Sequence, residues 1–139
     1  MTLMEAVRNF VQEYPALQNE KLRVDFLTPE TDSYSMDAVP CKELVKSYLD
    51  GSAQKQYLFV LASRAYFGPH IRQQLNNLGF FEEFSRWLRA EQKRRNFPDL
   101  GEGRQAQKVE VISSGYAFLP GVDSARYQIQ CRLIYVEKG

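Results

Sequence analysis

A single histidine, His70, limits the acid–base chemistry that this 139-residue chain could carry out. A Ser/His/Asp or Cys/His catalytic site would have to use it as the base. His70 follows Pro69 at the predicted start of a helix, where the positive end of the helix dipole lowers the basicity of an imidazole. The sequence therefore favours an exposed helix-start residue over a catalytic base.

The two cysteines, Cys41 and Cys131, do not form a metal-binding pattern. They lie far apart in the chain, and neither a CxxC pair nor a Cys/His cluster occurs, so no zinc site is predicted. Cys131 falls on the apolar side of a predicted strand, where cysteine acts as a small hydrophobic residue. A disulfide between the two is geometrically conceivable, but no pattern supports it, and such bonds are rare in reducing compartments.

The carboxylates do not pair as acid–base catalysis requires. Glu82 and Glu83 are consecutive on a predicted helix and point to different faces. Glu102 lies between Gly101 and Gly103, but this segment lacks the GK[ST] ending of a phosphate-binding loop. We therefore predict no catalytic residue, no cofactor and no metal, and we interpret the chain as a protein that is not an enzyme.

The basic residues concentrate near the end of the same predicted helix. Arg86, Arg89 and Lys93 are spaced three or four apart and share one helix face. This face could bind phosphate or an acidic protein surface. The alternative is a solvated helix end, because cations near a helix C-terminus interact favourably with the helix dipole.

Composition excludes several classes of protein. Eighteen basic residues balance seventeen acidic ones, so net charge gives no general attraction to nucleic acid or anionic lipid. The sequence contains no run of about 18 apolar residues that could span a bilayer. The N-terminal segment lacks a signal-peptide cleavage pattern, and we therefore expect synthesis in the cytoplasm.

The elements that must position these residues follow from hydrophobic periodicity. Leu3 to Tyr14 has helical spacing, with Thr2 as the expected N-cap, and Pro15 ends it. The last strand is the clearest element, because alternate residues from Tyr127 to Tyr135 are apolar and must share one face on a core.

Further strands are predicted at 22–27, 34–39, 44–49, 57–66 and 108–119. Asp50-Gly51 indicates a hairpin between the third and fourth strands, and a turn at 120–123 joins the last two. The helical block after Gly68-Pro69 is either one kinked helix or two helices joined at 77–79. Residues 96–107 are predicted to form a long loop. The order α-β-β-β-β-α-β-β predicts one α+β domain with an antiparallel or mixed sheet.

The aromatic residues of the helical block recur at helical spacing, at Phe80, Phe81, Phe84 and Trp87. Nucleic-acid modules place their stacking aromatics on strands, beside basic residues. We therefore assign these four side chains to the core.

Taken together, several segments resemble the small tail proteins of long-tailed bacteriophages and prophages. The segments are TLMEAVRNFVQEYP, YLDGSAQKQYLFVLASRAYFG, LNNLGFFEEFSRWLR, FPDLGEGRQAQKVEVISSGYAF and SARYQIQCRLIYVEK. Together they are most similar to the tail terminator, or tail-completion, group, whose members are often labelled minor capsid proteins. The resemblance covers nearly the whole chain and depends on overall pattern, since no short motif is diagnostic.

This resemblance implies an α+β fold, no catalytic residues, and assembly as a six-fold ring on the head-proximal end of the tail tube. The ring would stop tube growth and offer a surface to the head connector. The implied partners are copies of the chain itself, the tail tube protein and a head-completion protein, with no membrane and no specific nucleic acid. The implied location is the host cytoplasm during assembly, and then the virion tail.

A ring requires head-to-tail interfaces that close. Exposed strand edges, the turn near Asp50 and a mobile 96–107 loop are the places where we expect a neighbour to dock. The predicted interface residues are Arg86, Arg89, Lys93, Asp99, Leu100, Glu102, Arg104 and Gln107. Two alternatives remain open: another neck protein, such as a head-closure factor, or a small module that binds nucleic acid or another ligand.

Overall fold

The computed structural model describes residues 2–24, 33–66, 71–120 and 124–139, without the side chains of 65–66, 71–77, 114–120 and 124–125. The elements in chain order are α1 (Leu3–Val11), a 3-10 turn (Pro15–Leu17), β1 (Leu22–Val24), β2 (Ser33–Val39), β3 (Leu44–Ser47), β4 (Ala53–Tyr66), α2 (Ile71–Lys93), β5 (Arg104–Pro120) and β6 (Ser124–Glu137). This order and the α+β class confirm the prediction. His70, the polar turn predicted before β2 and residues 121–123 of the last predicted turn lie outside the described residues.

Helix α1 begins where the sequence predicts it. The Thr2 hydroxyl accepts a hydrogen bond from the Glu5 amide at 3.1 Å, which satisfies one of the free N–H groups of the first turn. The helix ends near Gln12, and Pro15 then starts the short 3-10 turn. Its buried face is formed by Ala6, Val7, Phe10 and Val11.

The described strands form one mixed, six-stranded sheet in the order β1-β2-β4-β6-β5, and β3 pairs separately with the first part of β4. β1 and β2 are parallel, whereas the other pairs are antiparallel. Strands β4 and β6 therefore have neighbours on both sides. The outer edges of β3 and β5 have no strand partner in the described part of the chain.

Both helices cover the same face of the sheet. The β6 residues on this face are Tyr127, Ile129, Cys131, Leu133 and Tyr135, and all five are buried. They join Phe59 and Leu61 of β4 and the buried stripe of α1 in one core. The predicted alternation of β6 is thus confirmed.

The aromatic residues of α2 belong to this core, as predicted. Phe81 and Phe84 are fully buried, and Phe80 and Trp87 pack against them. Tyr14 contacts three of these rings at centroid distances of 5.3 to 5.6 Å, and its hydroxyl donates a hydrogen bond to the Phe80 carbonyl at 3.2 Å. Burial, with a smaller contribution from nearby Glu83, raises the pKa of Tyr14 to about 12. These contacts fix α2 against the end of α1.

Several boundaries differ from the sequence expectations: α1 ends at Val11, β3 ends at Ser47 and β4 begins at Ala53. Helix α2 is continuous through Gly79, so the open choice between one kinked helix and two is decided in favour of one helix. Glycine costs about 1 kcal/mol inside a helix, and the buried aromatic residues on its C-terminal side outweigh that cost. The predicted loop is shorter than 96–107 because β5 begins at Arg104. The first residues of β5 are polar because this end of the strand lies at an exposed edge.

Replacing Phe84 with alanine should lower the free energy of unfolding by about 3–5 kcal/mol, because a fully buried ring leaves a cavity. Leu49→Ala is the matched control, since Leu49 is fully exposed and its loss should change stability by no more than about 0.5 kcal/mol. Urea unfolding followed by circular dichroism measures both. Equal losses in the two variants would contradict the assignment of the core.

Candidate functional site

A groove runs between α2 and the outer edge of β5. We call it the α2–β5 groove, and its volume is about 370 Å³. It is lined by Ser85, Leu88, Arg89, Gln92 and Lys93 from the helix and by Lys108, Val109, Glu110 and Val111 from the strand. The groove exists because α2 crosses the sheet beside an edge strand, beyond which no further described strand closes the space.

The floor of the groove is apolar. Leu88 and Val109 are buried in the core, and Val111 packs against it. Gln92 crosses the floor, and its Oε1 accepts a hydrogen bond from the Val109 amide at 2.8 Å. The side chain thereby satisfies a backbone donor on the outer edge of β5. Its Nε2 is buried and has no hydrogen-bond partner among the described residues.

The helix side of the groove carries uncompensated positive charge. Arg86 forms an ion pair with Glu82 one turn earlier, at 3.1 Å. Arg89 and Lys93 are exposed, and neither forms an ion pair within the part of the chain that is described. The predicted basic face is therefore divided, with one cation neutralised and two left facing the groove.

A compact ion-pair network lies on the opposite face of β5 from the groove floor, because Lys108 and Glu110 alternate with Val109 and Val111. Glu110 binds Lys108 at 2.7 Å and also accepts hydrogen bonds from the Arg132 guanidinium, one of them at 2.9 Å. The hydrogen bond from Lys108, together with Arg132, lowers the pKa of Glu110 below its ordinary value of 4.5. A second pair, Asp37 with Arg126 at 2.6 Å, lies further along the same face of the sheet.

A second exposed surface lies at the other edge of the sheet. Residues 41–51, which contain β3 and its turn, are all exposed, and we call them the β3 hairpin arm. Its large apolar side chains are Leu44, Val45, Tyr48 and Leu49, the last of them fully exposed. Leu44 and Val45 are consecutive on β3 and therefore expose apolar surface on both sides of the arm.

The turn at the tip of the arm is well defined. The Ser52 amide and hydroxyl both donate hydrogen bonds to Asp50 Oδ1, at 3.0 and 2.6 Å. These bonds lower the pKa of Asp50. Gly51 has a φ of +91°, a backbone conformation that disfavours other residues. The DG hairpin predicted from the sequence is confirmed, and it presents Leu49 and an ionised Asp50 side by side.

The predicted interface residues do not form one patch. Arg89 and Lys93 line the α2–β5 groove, whereas Glu102 and Gln107 are exposed elsewhere. Asp99 accepts a hydrogen bond from the Gly101 amide and shapes its own loop. Leu100 is only 2% exposed and belongs to the core, so its side chain is not accessible to a partner.

Arg104 and Gln107 were predicted to lie in the 96–107 loop, and this placement is wrong. Arg104 and Gln107 lie on β5, and the Gln107 Oε1 accepts a hydrogen bond from Gln54 on β4 at 2.8 Å. The exposure of Leu44 and Val45 in the β3 hairpin arm was not predicted, because an apolar pair in a strand is usually buried. Lys108 and Gln92 were also not predicted as residues of the α2–β5 groove, since only the fold brings them together.

The two cysteines differ in their accessibility. Cys41 is exposed and Cys131 is buried, and both are free thiols. Burial raises the pKa of the Cys131 thiol far above its ordinary value, which keeps it protonated. Within residues 2–24, 33–66, 71–120 and 124–139, no group of three His, Cys, Asp or Glu side chains could hold a metal, and no helix is long and apolar enough to cross a membrane.

Comparison with known proteins adds no family assignment: no family model and no curated protein sequence matches the chain. Inference about function therefore depends on the residues, the geometry and the resemblance of the sequence segments.

The ion-pair network predicts a specific acid response. A lowered folded-state pKa means that the Glu110 carboxylate stabilises the fold above its unfolded-state pKa, and this contribution is lost as pH falls through the folded-state pKa. Between about pH 6 and about pH 3, the wild-type chain should lose more free energy of unfolding than Glu110→Gln. Urea unfolding at each pH measures the difference.

Glu102→Gln is the matched control, because Glu102 is exposed and forms no ion pair among the described residues. It should keep the wild-type slope. Parallel curves for wild type and Glu110→Gln would show that the network contributes nothing to stability.

Proposed function

We propose that this chain is a structural assembly protein, a tail terminator of a long-tailed bacteriophage or prophage. It forms a ring on the head-proximal end of the tail tube, ends tube growth and offers a surface to the head-completion protein. The proposal assigns it no reaction. It acts in the host cytoplasm during assembly and remains in the virion tail.

One observation carries this proposal: two dissimilar contact surfaces lie at opposite edges of one sheet. The β3 hairpin arm exposes Leu44, Val45 and Leu49 among charged residues, whereas the α2–β5 groove is concave with cations at its rim. Dissimilar surfaces on opposite sides of a subunit suit heterologous contacts, which generate rings when the rotation closes. The resemblance of the sequence segments then narrows a ring-forming protein to the tail terminator group.

The second face of the sheet suits contact with other tail components. No helix in the described residues covers it, and ion pairs such as Asp37–Arg126 and Glu110–Arg132 lie across it. The same face also contains Ser35, Val60 and Ala62, which are buried, so its exposed part is limited to the surroundings of these ion pairs. In a ring it would be repeated around the axis and could face the tube or the connector.

Deleting the gene should yield particles whose tails are unjoined or whose tubes vary in length, because nothing would stop tube growth. Electron microscopy of lysates measures tube length and joining, and supply of the wild-type chain from a plasmid is the control. Normal, infectious particles from the deletion strain would contradict the proposal.

The alternative neck role, a head-closure factor, makes a different prediction for the same strain. Tails would then reach their normal length, while heads would fail to retain DNA or to join. Gold labelling of a tagged chain on intact particles separates the two roles by axial position, since a terminator lies at the tube end and a closure factor lies at the head vertex.

The second alternative, a nucleic-acid module, is favoured only by the uncompensated Arg89 and Lys93. If it were correct, titration with duplex DNA at low salt would show binding that weakens steeply with added salt. Arg89→Ala/Lys93→Ala should then abolish that binding, with Arg86→Ala as the control because Arg86 is already paired. We expect no binding to DNA.

A further inference from the structure

We infer that the α2–β5 groove of one copy receives the tip of the β3 hairpin arm of a second copy. Leu49 would lie on the apolar floor, and Asp50 would face Arg89 and Lys93. This inference deepens the proposed function and rests on it, because it names the contact by which successive subunits of the ring would join.

The apolar part of the contact would join an exposed leucine of the arm to an unfilled groove. Leu49 is fully exposed at the end of a rigid turn, which is an unfavourable place for a leucine in a free monomer. The groove offers an apolar floor at Leu88 and Val109 that no described segment fills. Placing the leucine there would remove its own side chain from water. Leu88 and Val109 are already only 2% and 1% exposed, so on the groove side the covered apolar surface would be that of Val111 and the aliphatic stems of Arg89 and Lys93.

The polar part follows from charge. Asp50 is exposed and ionised, since hydrogen bonds from Ser52 favour its carboxylate form. Arg89 and Lys93 are the two groove cations without an ion pair among the described residues. A carboxylate beside a leucine thus matches cations beside an apolar floor.

The geometry requires a second copy. β3 and β5 are separated by β4 and β6, so the two edges are three strand spacings apart, about 14 Å. The arm is also fixed in its own sheet by pairing with β4, and Gly51 at its tip lies beside the C-terminal Gly139. Each copy therefore has one arm and one groove. When the arm of one copy binds the groove of another, the pair still has one unoccupied groove and one unoccupied arm.

A contact made by one turn in one groove is weak when it forms alone. Closing a ring, or binding to a tube that already holds neighbouring subunits, raises the effective concentration of arm and groove. We therefore expect mostly monomers in dilute solution, with the contact becoming populated in concentrated protein and on tails.

Cross-linking between two variants tests the contact directly. Both carry Cys41→Ser, which leaves only the buried Cys131 as an endogenous thiol. One variant adds Leu49→Cys and the other adds Arg89→Cys, and a short bis-maleimide reagent is applied to each alone and to the equal mixture. We expect covalent dimers in the mixture and little product from either variant alone.

The chain that carries both cysteines should instead give a ladder of higher oligomers, because every copy then has a reactive arm and a reactive groove. Glu20→Cys replaces Arg89→Cys in the control, since Glu20 is exposed on a different part of the surface. Circular dichroism confirms that the variants fold. Products that form no faster than with Glu20→Cys, in concentrated protein and in purified tails, would overturn the inference.

Charge reversal gives a second, independent readout. Asp50→Lys should weaken self-association by about tenfold or more, as should Arg89→Asp/Lys93→Asp, because each places like charges together. Combining all three substitutions should restore association, as measured by sedimentation equilibrium. Glu20→Lys is the matched control. If the combined variant associates no better than the single ones, the proposed pairing is wrong.

The two proposals fail differently. Cross-links between arm and groove with normal tails in the deletion strain would retain the contact and reject the tail terminator role. Failure of the cross-link, with the chain still rescuing tail length in the deletion strain, would retain the role and reject the contact. Binding of duplex DNA that is lost in Arg89→Asp/Lys93→Asp would make nucleic acid the occupant of the groove and overturn the contact.

Discussion

The pairing of β6 between β4 and β5 is the constraint on which the rest of the structure depends. Alternate residues of β6 supply the centre of the core, and fourteen consecutive positions of β4 are in register with it. A one-residue slip would move every buried side chain to the other face. With β6 fixed, β5 must lie at an outer edge, and the first part of β4 is left with β3 as its only other neighbour.

This constraint explains why both contact surfaces lie at edges. The core requires α1 and α2 on a single face, and α2 then meets the sheet beside β5, where a groove remains. At the opposite side, the short strand β3 pairs only with residues 53–55 of β4, so little of the arm is covered. The arm and the groove are thus consequences of the same sheet order.

Local patterns predicted most of the elements because their causes are local. The Thr2 cap, the alternation of β6 and the Asp50-Gly51 turn each depend on residues within a few positions of one another. The end of the 96–107 loop could not be predicted in this way. Residues 104–107 of β5 are mostly polar, and the register shift between Ala106 and Lys108 breaks the alternation that would indicate a strand.

The candidate site was predicted only in part, for a related reason. Helical spacing brought Arg86, Arg89 and Lys93 together, and the same spacing places Glu82 four residues before Arg86, a signal for their ion pair that the prediction did not use. Leu100 was predicted to be accessible because it lies in the loop between Asp99 and Gly101, yet tertiary packing buries its side chain. Long-range proximity, such as Gln92 beside Val109, depends on how α2 crosses the sheet, which short-range patterns do not specify.

The state of the β5 edge favours side-chain docking over extension of the sheet. An exposed edge normally offers free N–H and C=O groups to another strand. Here Gln92 already occupies the Val109 amide, and register shifts near Ala106, Val111 and Ser113 interrupt the regular spacing that a new strand would need. An added strand would have to displace the Gln92 bond, whereas a leucine and a carboxylate would leave it intact. The same features protect this exposed edge from edge-to-edge aggregation.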